Sequence, residues 1–468
     1  MKSRSTYFDL IDQTYYFPQE GFNIENGNLF FNNISLKYLI DKYGTPFKLT
    51  YLPKIGDQIK RIRNLFSKAI RANGYKGQYH YCYCTKSSHF SFVVKETLQY
   101  NVQLETSSAY DLDIIKELYN EGLIDKDIII INNGHKSEQY LQKINMLHKM
   151  GFTNCMVVLD SMPELDRLLN IVEGNVNVGI RMAIDEEPQA AYYTSRLGIR
   201  PTEIIRFYNE KIKDNDRVNL RMLHFFVDSG IKDTLYYWGL FQKALTLYAE
   251  LKKQCPSLHA INLGGGLPIR NNLGFDYDYK YIVNELVRNI KEMCTIEGID
   301  DPDIFTEFGR YSVGESGAVI FKVVEAKQQN DSELWYLVDN SLMTTIPDSW
   351  SIFEKFILLP VNYWDKPYAR VNIGGVTCDH SDYYNTEDLN QQVYMPLTKE
   401  DDKEPLYLGF FHTGAYQDSI SGYGGIKHCL IPSPKHIVVD RDENGQLIDY
   451  LFNDEQKVED MLRILGYI

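Results

Sequence analysis

One pattern repeats eight times between Gln78 and Arg310, and it constrains the fold more than any other feature of the sequence. Each repeat opens with a short β-branched or aromatic run that ends in small or polar residues, and an amphipathic helical stretch usually follows. The predicted strands are QYHYCYC (78–84), VQLETS (102–107), IIIINNG (128–134), CMVVLD (155–160), NVGIRM (177–182), LHFFVDS (223–229), AINLGGG (260–266) and IFTEFGR (304–310). Alternation of this kind implies parallel strands, and eight units are the number that closes a barrel.

We therefore predict an α/β protein with a (β/α)8 barrel, or TIM barrel, over residues 46–315. An open doubly wound parallel sheet is the competing fold. After Gly317 the pattern changes to strands joined by turns, as in VIFKVVEAKQQ and KHIVVD, and NLFFNNISL near residue 30 has the same character. Residues 1–45 and 316–468 are thus predicted to form a second domain of β-sheet.

Charge and cysteine content exclude several classes of partner. The 468-residue chain has a net charge of −14, which disfavours nucleic acid and anionic lipid. No apolar stretch is long enough for a signal peptide or a transmembrane helix, so we expect a cytoplasmic protein. The seven cysteines are odd in number and include no CxxC pair, which argues against a disulfide framework and against a metal site.

Three groups of residues that could carry out chemistry lie at the ends of predicted barrel strands. Barrel enzymes place their active sites at these strand ends. Lys86 follows the first strand and is either a solvated surface lysine or an amine held in the barrel mouth for covalent chemistry. Gly264, Gly265 and Gly266 end the seventh strand and form either a tight turn or an anion-binding loop. Glu307 and Arg310 end the eighth strand and form either a local ion pair or a pair of ligand-binding charges.

Further candidates lie in the predicted β domain. Cys378 and Asp379 occur in GGVTCDHSDYY, and Tyr416 occurs in HTGAYQDSISGYGG. A thiol beside a carboxylate is a weak motif. Without further context it indicates a buried cysteine next to a turn-forming aspartate.

Taken in order, these segments resemble the fold-type III pyridoxal-phosphate decarboxylases, which include the ornithine, arginine and diaminopimelate decarboxylases. YCTKSS is similar to the family's Tyr-Ala-Val-Lys-Ala-Asn, GGGLP to Gly-Gly-Gly-Phe-Pro and TEFGRY to Glu-Pro-Gly-Arg-Tyr. TCDHSD resembles Thr-Cys-Asp-Ser-x-Asp, and GAYQ resembles Gly-Ala-Tyr. The resemblance covers nearly the whole chain. It implies a pyridoxal 5′-phosphate enzyme that decarboxylates a basic amino acid and works as a homodimer with shared active sites.

The resemblance also implies a role for each matching residue. Lys86 carries the cofactor, and Cys378, reaching in from a second subunit, protonates the carbanion. The residues implied to bind the cofactor are Lys86, Glu105, Arg181, Phe226, Ser229, Gly264, Gly265, Gly266, Glu307, Arg310 and Tyr416. Phe226 departs from the family, which has a histidine there. A phenylalanine can stack on the cofactor ring but cannot donate a hydrogen bond.

Several details favour L-arginine, converted to agmatine for polyamine synthesis. NNGHKSEQYL (132–141) and VDNSLMTTIPDSW (338–350) resemble segments of biosynthetic arginine decarboxylases, although those enzymes are usually longer. A guanidinium is recognised strongly by a carboxylate. We assign that role to Asp379, with Asp339 and Asp382 as possible helpers. The alternative substrates are ornithine, lysine, diaminopimelate and carboxynorspermidine.

Two other functions compete with a decarboxylase. A catalytically inactive regulatory paralogue would be expected to have lost Lys86, Glu307 or Cys378, and all three are present. A racemase of the same fold type uses as its catalytic acid a tyrosine that lies in a different sequence context. It also lacks the Cys-Asp motif.

Overall fold

A computed structural model describes residues 5–185, 193–384 and 393–468. The chain divides into two compact units. The barrel unit comprises residues 56–268 and 277–312, and the β unit comprises residues 1–55, 269–276 and 313–468. The β unit thus includes residues 46–55, which the sequence analysis placed in the barrel.

The elements of the N-terminal part of the chain explain why residues 46–55 belong to the β unit. They are α1 (Tyr7–Thr14), β1 (Phe22–Glu25), β2 (Asn28–Phe31), β3 (Ile34–Ser35), α2 (Leu36–Tyr43), β4 (Phe47–Tyr51) and α3 (Pro53–Ala72). Strands β1 to β3 form a small antiparallel sheet. All five residues of β4 are buried, because this strand lies inside the large sheet of the β unit and has a neighbour on each side.

Eight parallel strands close into a barrel, in the order β10-β11-β12-β5-β6-β7-β8-β9, which confirms the predicted fold class. Their bounds are β5 (Tyr79–Cys84), β6 (Gln103–Thr106), β7 (Ile130–Asn132), β8 (Cys155–Leu159), β9 (Val176–Arg181), β10 (Val218–His224), β11 (Ala260–Asn262) and β12 (Asp303–Thr306). Cys82, Ile131, Met156, Val158, Met222, Ala260 and Phe305 form a buried apolar cluster within it.

Helices connect the strands at the positions that the hydrophobic periodicity predicts. They are α4 (Ser91–Leu98), α5 (Asp111–Asn120), α6 (Glu138–Lys149), α7 (Met162–Ile171), α8 (Pro201–Phe207), α9 (Leu235–Gln254) and α10 (Tyr279–Glu297). A further helix, α11 (Gly309–Val313), begins where the sequence analysis predicted the end of the eighth strand. A 3-10 turn at Thr85–Ser87 and a π turn at Tyr208–Ile212 complete this part of the chain.

The sixth barrel strand is the main correction to the predicted elements. It was predicted at 223–229 but is observed at Val218–His224. Phe225 makes one further backbone hydrogen bond, to Asn262, and the chain then turns so that Gly230 N–H bonds to the Val227 carbonyl. Residues 225–229 therefore form a loop at the barrel mouth.

Eight C-terminal strands join β4 in one nine-stranded sheet, with the path β17-β16-β14-β13-β4-β19-β20 and with β18 joining β13 to β15. The strands are β13 (Gly317–Asn330), β14 (Glu333–Val338), β15 (Ile357–Pro360), β16 (Tyr368–Gly374), β17 (Val393–Pro396), β18 (Tyr407–Phe411), β19 (Lys435–Arg441) and β20 (Leu447–Asn453). The helices are α12 (Leu342–Thr345), α13 (Pro347–Ser351), α14 (Gln417–Ser421) and α15 (Val458–Ile464). Among the described residues, no helix combines the length and apolar character needed to cross a bilayer.

Candidate active site

The barrel mouth collects polar side chains because parallel strands end on the same face. Lys86 lies just after β5, Glu105 lies in β6 and Arg181 ends β9. Glu307 follows β12 directly. The predicted barrel residues therefore meet at one end of the barrel.

Lys86 and Glu105 form the first part of this site. The Lys86 ammonium donates to both carboxylate oxygens of Glu105, at 3.0 Å each. Glu105 is fully buried, whereas the Lys86 side chain is 42% exposed. The buried carboxylate of Glu105 holds the amine of Lys86 in place. Because the lysine side chain is partly exposed, its amine can be reached from the barrel mouth.

Glu307 is the centre of the second part. Its Oε1 accepts hydrogen bonds from the amides of Asn133, at 3.0 Å, and Asn262, at 2.7 Å, and lies 3.4 Å from His224 Nε2. Within the described residues no donor reaches its other oxygen, Oε2. This buried carboxylate therefore has one anchored oxygen and one that is open to a donor from a bound molecule.

Electrostatics keep Glu307 ionised. Burial alone would raise the pKa of this carboxyl, but the charge of the neighbouring His224 ring, the charge of Lys86 and the amide of Asn133 outweigh it. The pKa of Glu307 therefore lies well below its ordinary value. A buried anion with a free oxygen is suited to hold a proton on a ring nitrogen.

The glycine loop after β11 is crowded by its neighbours. A Cβ on Gly264 would lie 2.8 Å from the Phe225 carbonyl, one on Gly265 would lie 2.8 Å from the Glu307 carbonyl, and one on Gly266 would lie 2.7 Å from Gly230 Cα. Only glycine fits at these positions. In the described chain the N–H groups of Gly265 and Gly266 meet no acceptor, so they are available to an anion such as a phosphate.

Phe226 lies beside this loop. Its ring carbon Cδ2 would be 2.9 Å from a Cβ on Gly264, and the Arg181 guanidinium lies 5.3 Å from the ring centroid. Burial lowers the pKa of Arg181, while the charges of Asp160, Glu307, Glu105 and Asp228 oppose that shift. Ser229 is half-buried in the loop that precedes Gly230, and Arg310 is half-buried in the first turn of α11.

The candidates of the β unit lie in two of its loops. Cys378 and Asp379 follow β16, and both side chains reach solvent. Asp379 Oδ1 accepts from the Ser381 N–H, while Oδ2 lies 3.7 Å from His428 Nε2. Tyr416 precedes α14 with the left-handed backbone angle φ 68°, which is uncommon for a tyrosine and typical of functional loops.

Asp382, a possible helper in substrate recognition, is engaged within the fold. Its carboxylate is buried and accepts four hydrogen bonds, from the Ser341 hydroxyl, the Met343 N–H, and the N–H and hydroxyl of Thr377. All of its acceptor capacity is used to fix the loop that carries Cys378. A substrate cation would have to displace these bonds to reach the carboxylate.

Asp339 is also engaged within the fold. One of its oxygens accepts from the Thr45 hydroxyl at 2.6 Å and the other from the Lys322 N–H at 2.9 Å. Burial raises the pKa of this carboxyl against those hydrogen bonds, which lower it. Asp379 is the one of the three proposed aspartates whose carboxylate stays open to a cation.

Two residues of the site were missed by the sequence analysis, and a third, His224, matches the family pattern in LHFFVDSG but was given no role. Asn133 bridges the two buried acids, donating to Glu105 and Glu307 at 3.0 Å each, and Asn262 and His224 contact Glu307 from the neighbouring strands. The signal for all three is a polar residue at the end of an apolar strand, as in IIINN, AIN and RMLH.

The barrel mouth fits pyridoxal phosphate. It has a reachable amine, an ionised acid with a free oxygen, an aromatic ring and a glycine loop with open N–H groups. Buried polar atoms without hydrogen-bond partners, Asn133 Oδ1 and both nitrogens of His224, also remain for a bound molecule to satisfy. Together these groups provide covalent attachment, charge for a ring nitrogen and a phosphate cradle.

Comparison with known proteins agrees with this arrangement. The family model described as "Pyridoxal-dependent decarboxylase, pyridoxal binding domain" matches residues 56–314. The chain is 22% identical to a biosynthetic arginine decarboxylase of Prochlorococcus marinus strain MIT 9215, over an alignment that covers 90% of this chain and 83% of the relative.

Solved structures share the fold. The biosynthetic arginine decarboxylase of Campylobacter jejuni superposes with a TM-score of 0.78 at 22% identity and covers 96% of this chain and 89% of its own. The diaminopimelate decarboxylase of M. jannaschii also reaches a TM-score of 0.78, at 17% identity, over 95% of this chain and 97% of its own.

Proposed function

The chain belongs to the pyridoxal-dependent decarboxylase family, and from that premise we propose that it converts L-arginine to agmatine and carbon dioxide. The observation that carries the decarboxylase chemistry is Glu307, a buried anion with one oxygen open to the barrel mouth. The preference for arginine is supported by the relatives, which are biosynthetic arginine decarboxylases, and by the accessible carboxylate of Asp379.

Bound pyridoxal phosphate supplies the electron sink that stabilises the carbanion left when carbon dioxide departs. The chain's own residues would hold and tune that group. Lys86 would attach it covalently, and Glu105 keeps the lysine amine in position. Glu307 would hold a proton on its ring nitrogen, and Phe226 would contact the face of its ring.

The phosphate would be held by N–H groups and side chains around the glycine loop. Gly264, Gly265 and Gly266 offer a backbone cradle without Cβ obstruction. Ser229 lies on the loop after β10, and Arg310 lies in the first turn of α11. Arg310 contributes a permanent positive charge. We place Tyr416 in the same role because the family resemblance assigns it there.

The final proton is proposed to come from Cys378. This thiol is exposed in the β unit, and Asp382 fixes the loop that carries it. We propose that it acts at the barrel mouth of a second copy of the chain, which makes the active form a homodimer. Residence in the cytoplasm stays a prediction, consistent with seven free cysteines in the described structure.

Asp379 is the proposed recognition group for the substrate's guanidinium. A guanidinium remains charged at any physiological pH and offers a planar set of donors, so a carboxylate with a free oxygen binds it well. His428 Nε2 lies 3.7 Å from Asp379 Oδ2. A purely cationic substrate tail is compatible with an aspartate here.

The test is decarboxylation by the purified holoenzyme. We expect release of carbon dioxide and agmatine from L-arginine, and loss of both in Lys86→Ala. The control is Lys95→Ala, which removes a surface lysine paired with Glu121 in the same unit and should leave the rate unchanged. A holoenzyme that carries cofactor on Lys86 but releases no carbon dioxide from any basic amino acid would refute the proposal.

The shared site has a separate test. Lys86→Ala and Cys378→Ala should each be inactive alone, and mixing them under conditions of subunit exchange should restore activity in the heterodimer. Recovery is expected only if the two residues act across subunits. Proven exchange without recovery would place both residues of one site in one chain.

A further inference from the structure

Two loops of the β unit bring three metal-ligand side chains together. Cys378 follows β16, and His428 and Cys429 lie in the 3-10 turn His428–Leu430, about fifty positions later in the chain. The two sulfur atoms are 3.6 Å apart, and the three possible ligand atoms all lie within 4.8 Å of one another. All three residues are exposed.

The spacing of the thiols suits a metal ion. Two thiolates bound tetrahedrally to zinc at about 2.3 Å are about 3.8 Å apart, whereas a disulfide requires about 2.05 Å. The observed 3.6 Å is close to the first value. Small rotations of exposed side chains would bring the imidazole into the same shell.

The backbone supports the use of two adjacent residues as ligands. Neighbouring side chains in an extended segment point in opposite directions, so they reach a common ion only where the chain turns. Cys429 has φ 54° and ψ 21°, a left-handed conformation that is uncommon for cysteine. The turn directs His428 and Cys429 towards Cys378 together.

Asp379 completes the surroundings. Its Oδ2 lies 3.7 Å from His428 Nε2, so a small rotation of either side chain would let this carboxylate accept from that nitrogen and orient the ring, as carboxylates do for metal-binding histidines. His428 can then offer Nδ1 to the ion. Two thiolates and a nearby carboxylate also provide the negative charge that favours a divalent cation.

We propose that Cys378, His428 and Cys429 form a binding site for Zn²⁺, with water as the fourth ligand. Two sulfurs and one nitrogen are a donor set that zinc prefers over magnesium or calcium. The site departs from our prediction of no metal site, which relied on the absence of a CxxC pair. It is assembled from loops that are distant in sequence.

Binding of zinc would also regulate the enzyme. The ion would occupy the thiol that the proposed function uses as the proton donor, so the zinc-loaded enzyme should be inactive until a chelator removes the ion. This consequence rests on the proposed function. The binding itself does not.

The experiment measures binding directly on the holoenzyme, stripped of metal and kept reduced with a phosphine. Equilibrium dialysis with Zn²⁺ should give one ion per chain, and Co²⁺ should give a thiolate-to-cobalt absorption band that Zn²⁺ displaces. Cys429→Ser and His428→Ala should each weaken zinc binding by about tenfold or more. The control, His380→Ala, removes an exposed histidine beside Asp379 that lies outside the cluster and should bind zinc normally. Near-ultraviolet circular dichroism verifies that each variant is folded.

Each outcome decides a defined point. Absence of stoichiometric zinc, or normal binding by either Cys429→Ser or His428→Ala, overturns the site. Zinc binding that depends on these residues supports it, and inhibition of wild type with resistance in Cys429→Ser supports the regulatory consequence as well. If zinc binds as predicted but activity is unaffected, the metal site stands and the catalytic role of Cys378 fails.

Discussion

Replacing Glu307 by glutamine tests the centre of the barrel site with little change in shape. Glu307 Oε1 accepts from Asn133 and Asn262 and lies beside His224. A glutamine oxygen can keep those contacts. The change therefore falls on Oε2, which becomes an NH2 group that can no longer accept a proton or hydrogen bond from a bound ring nitrogen.

The size of the effect follows from that single interaction. A hydrogen bond to a charged group contributes about 1.5–3 kcal/mol. Each 1.36 kcal/mol of transition-state stabilisation corresponds to a factor of ten in rate. Glu307→Gln should therefore lower kcat by about ten- to 200-fold. Because the pKa of Glu307 is held well below its ordinary value, wild type should show no titration of this group near neutral pH.

The assay compares single-turnover rates of holoenzymes at matched cofactor content. Absorbance of the bound cofactor verifies occupancy, and thermal unfolding verifies folding. Glu121→Gln, which neutralises an exposed acid of the same unit, is the control and should match wild type. A rate for Glu307→Gln within twofold of wild type at full occupancy would refute the reasoning.

Three further predictions concern stability and cofactor binding. Glu164→Ala leaves the buried Lys136 charge unpaired and should cost about 3–5 kcal/mol of unfolding free energy, whereas Glu173→Ala, in an exposed pair, should show almost no change by denaturant titration. Burial, with the charge of Lys48, lowers the pKa of Lys427 to about 7; the unfolded chain therefore binds the extra proton between pH 7 and pH 10.5, and stability should rise with pH across that window. Lys427→Met should accordingly raise the free energy of unfolding by about 2–4 kcal/mol at pH 7 and should not change it above pH 10.5. An equal increase at pH 7 and above pH 10.5 would contradict this. Phe226→Ala should weaken cofactor retention in dialysis while Phe226→Tyr retains it, and unchanged retention in the alanine variant would make Phe226 a packing residue only.

The barrel could be predicted from sequence because its signal is local and repeated. Each strand and the helix after it carry their own hydrophobic period, and eight such pairs leave few alternatives. The sixth strand was misplaced because the apolar run FFV continues beyond His224, so the pattern does not indicate where pairing stops. Strand Phe47–Tyr51 was assigned to the wrong unit, since a buried strand does not show which sheet it joins.

The site was predicted in part for the same reason. Lys86, Glu307 and the glycines occur in motifs that are readable in one stretch of sequence. Asn133, Asn262 and His224 act through contacts between neighbouring strands, which one sequence does not display. The sequence names Asp382 as a possible helper in substrate binding but does not display the four hydrogen bonds that its carboxylate accepts within the fold.

The central claim is tested most directly by measuring kcat/KM of the holoenzyme for L-arginine, L-ornithine, L-lysine, diaminopimelate and carboxynorspermidine under identical conditions, in wild type and in Asp379→Asn. We predict that arginine has the highest value in wild type. We also predict that Asp379→Asn lowers kcat/KM for arginine. The loss should correspond to roughly 2–4 kcal/mol of transition-state binding, because a desolvated guanidinium loses its partner. A higher kcat/KM for any of the other substrates than for arginine would contradict the assignment and leave only the decarboxylase family.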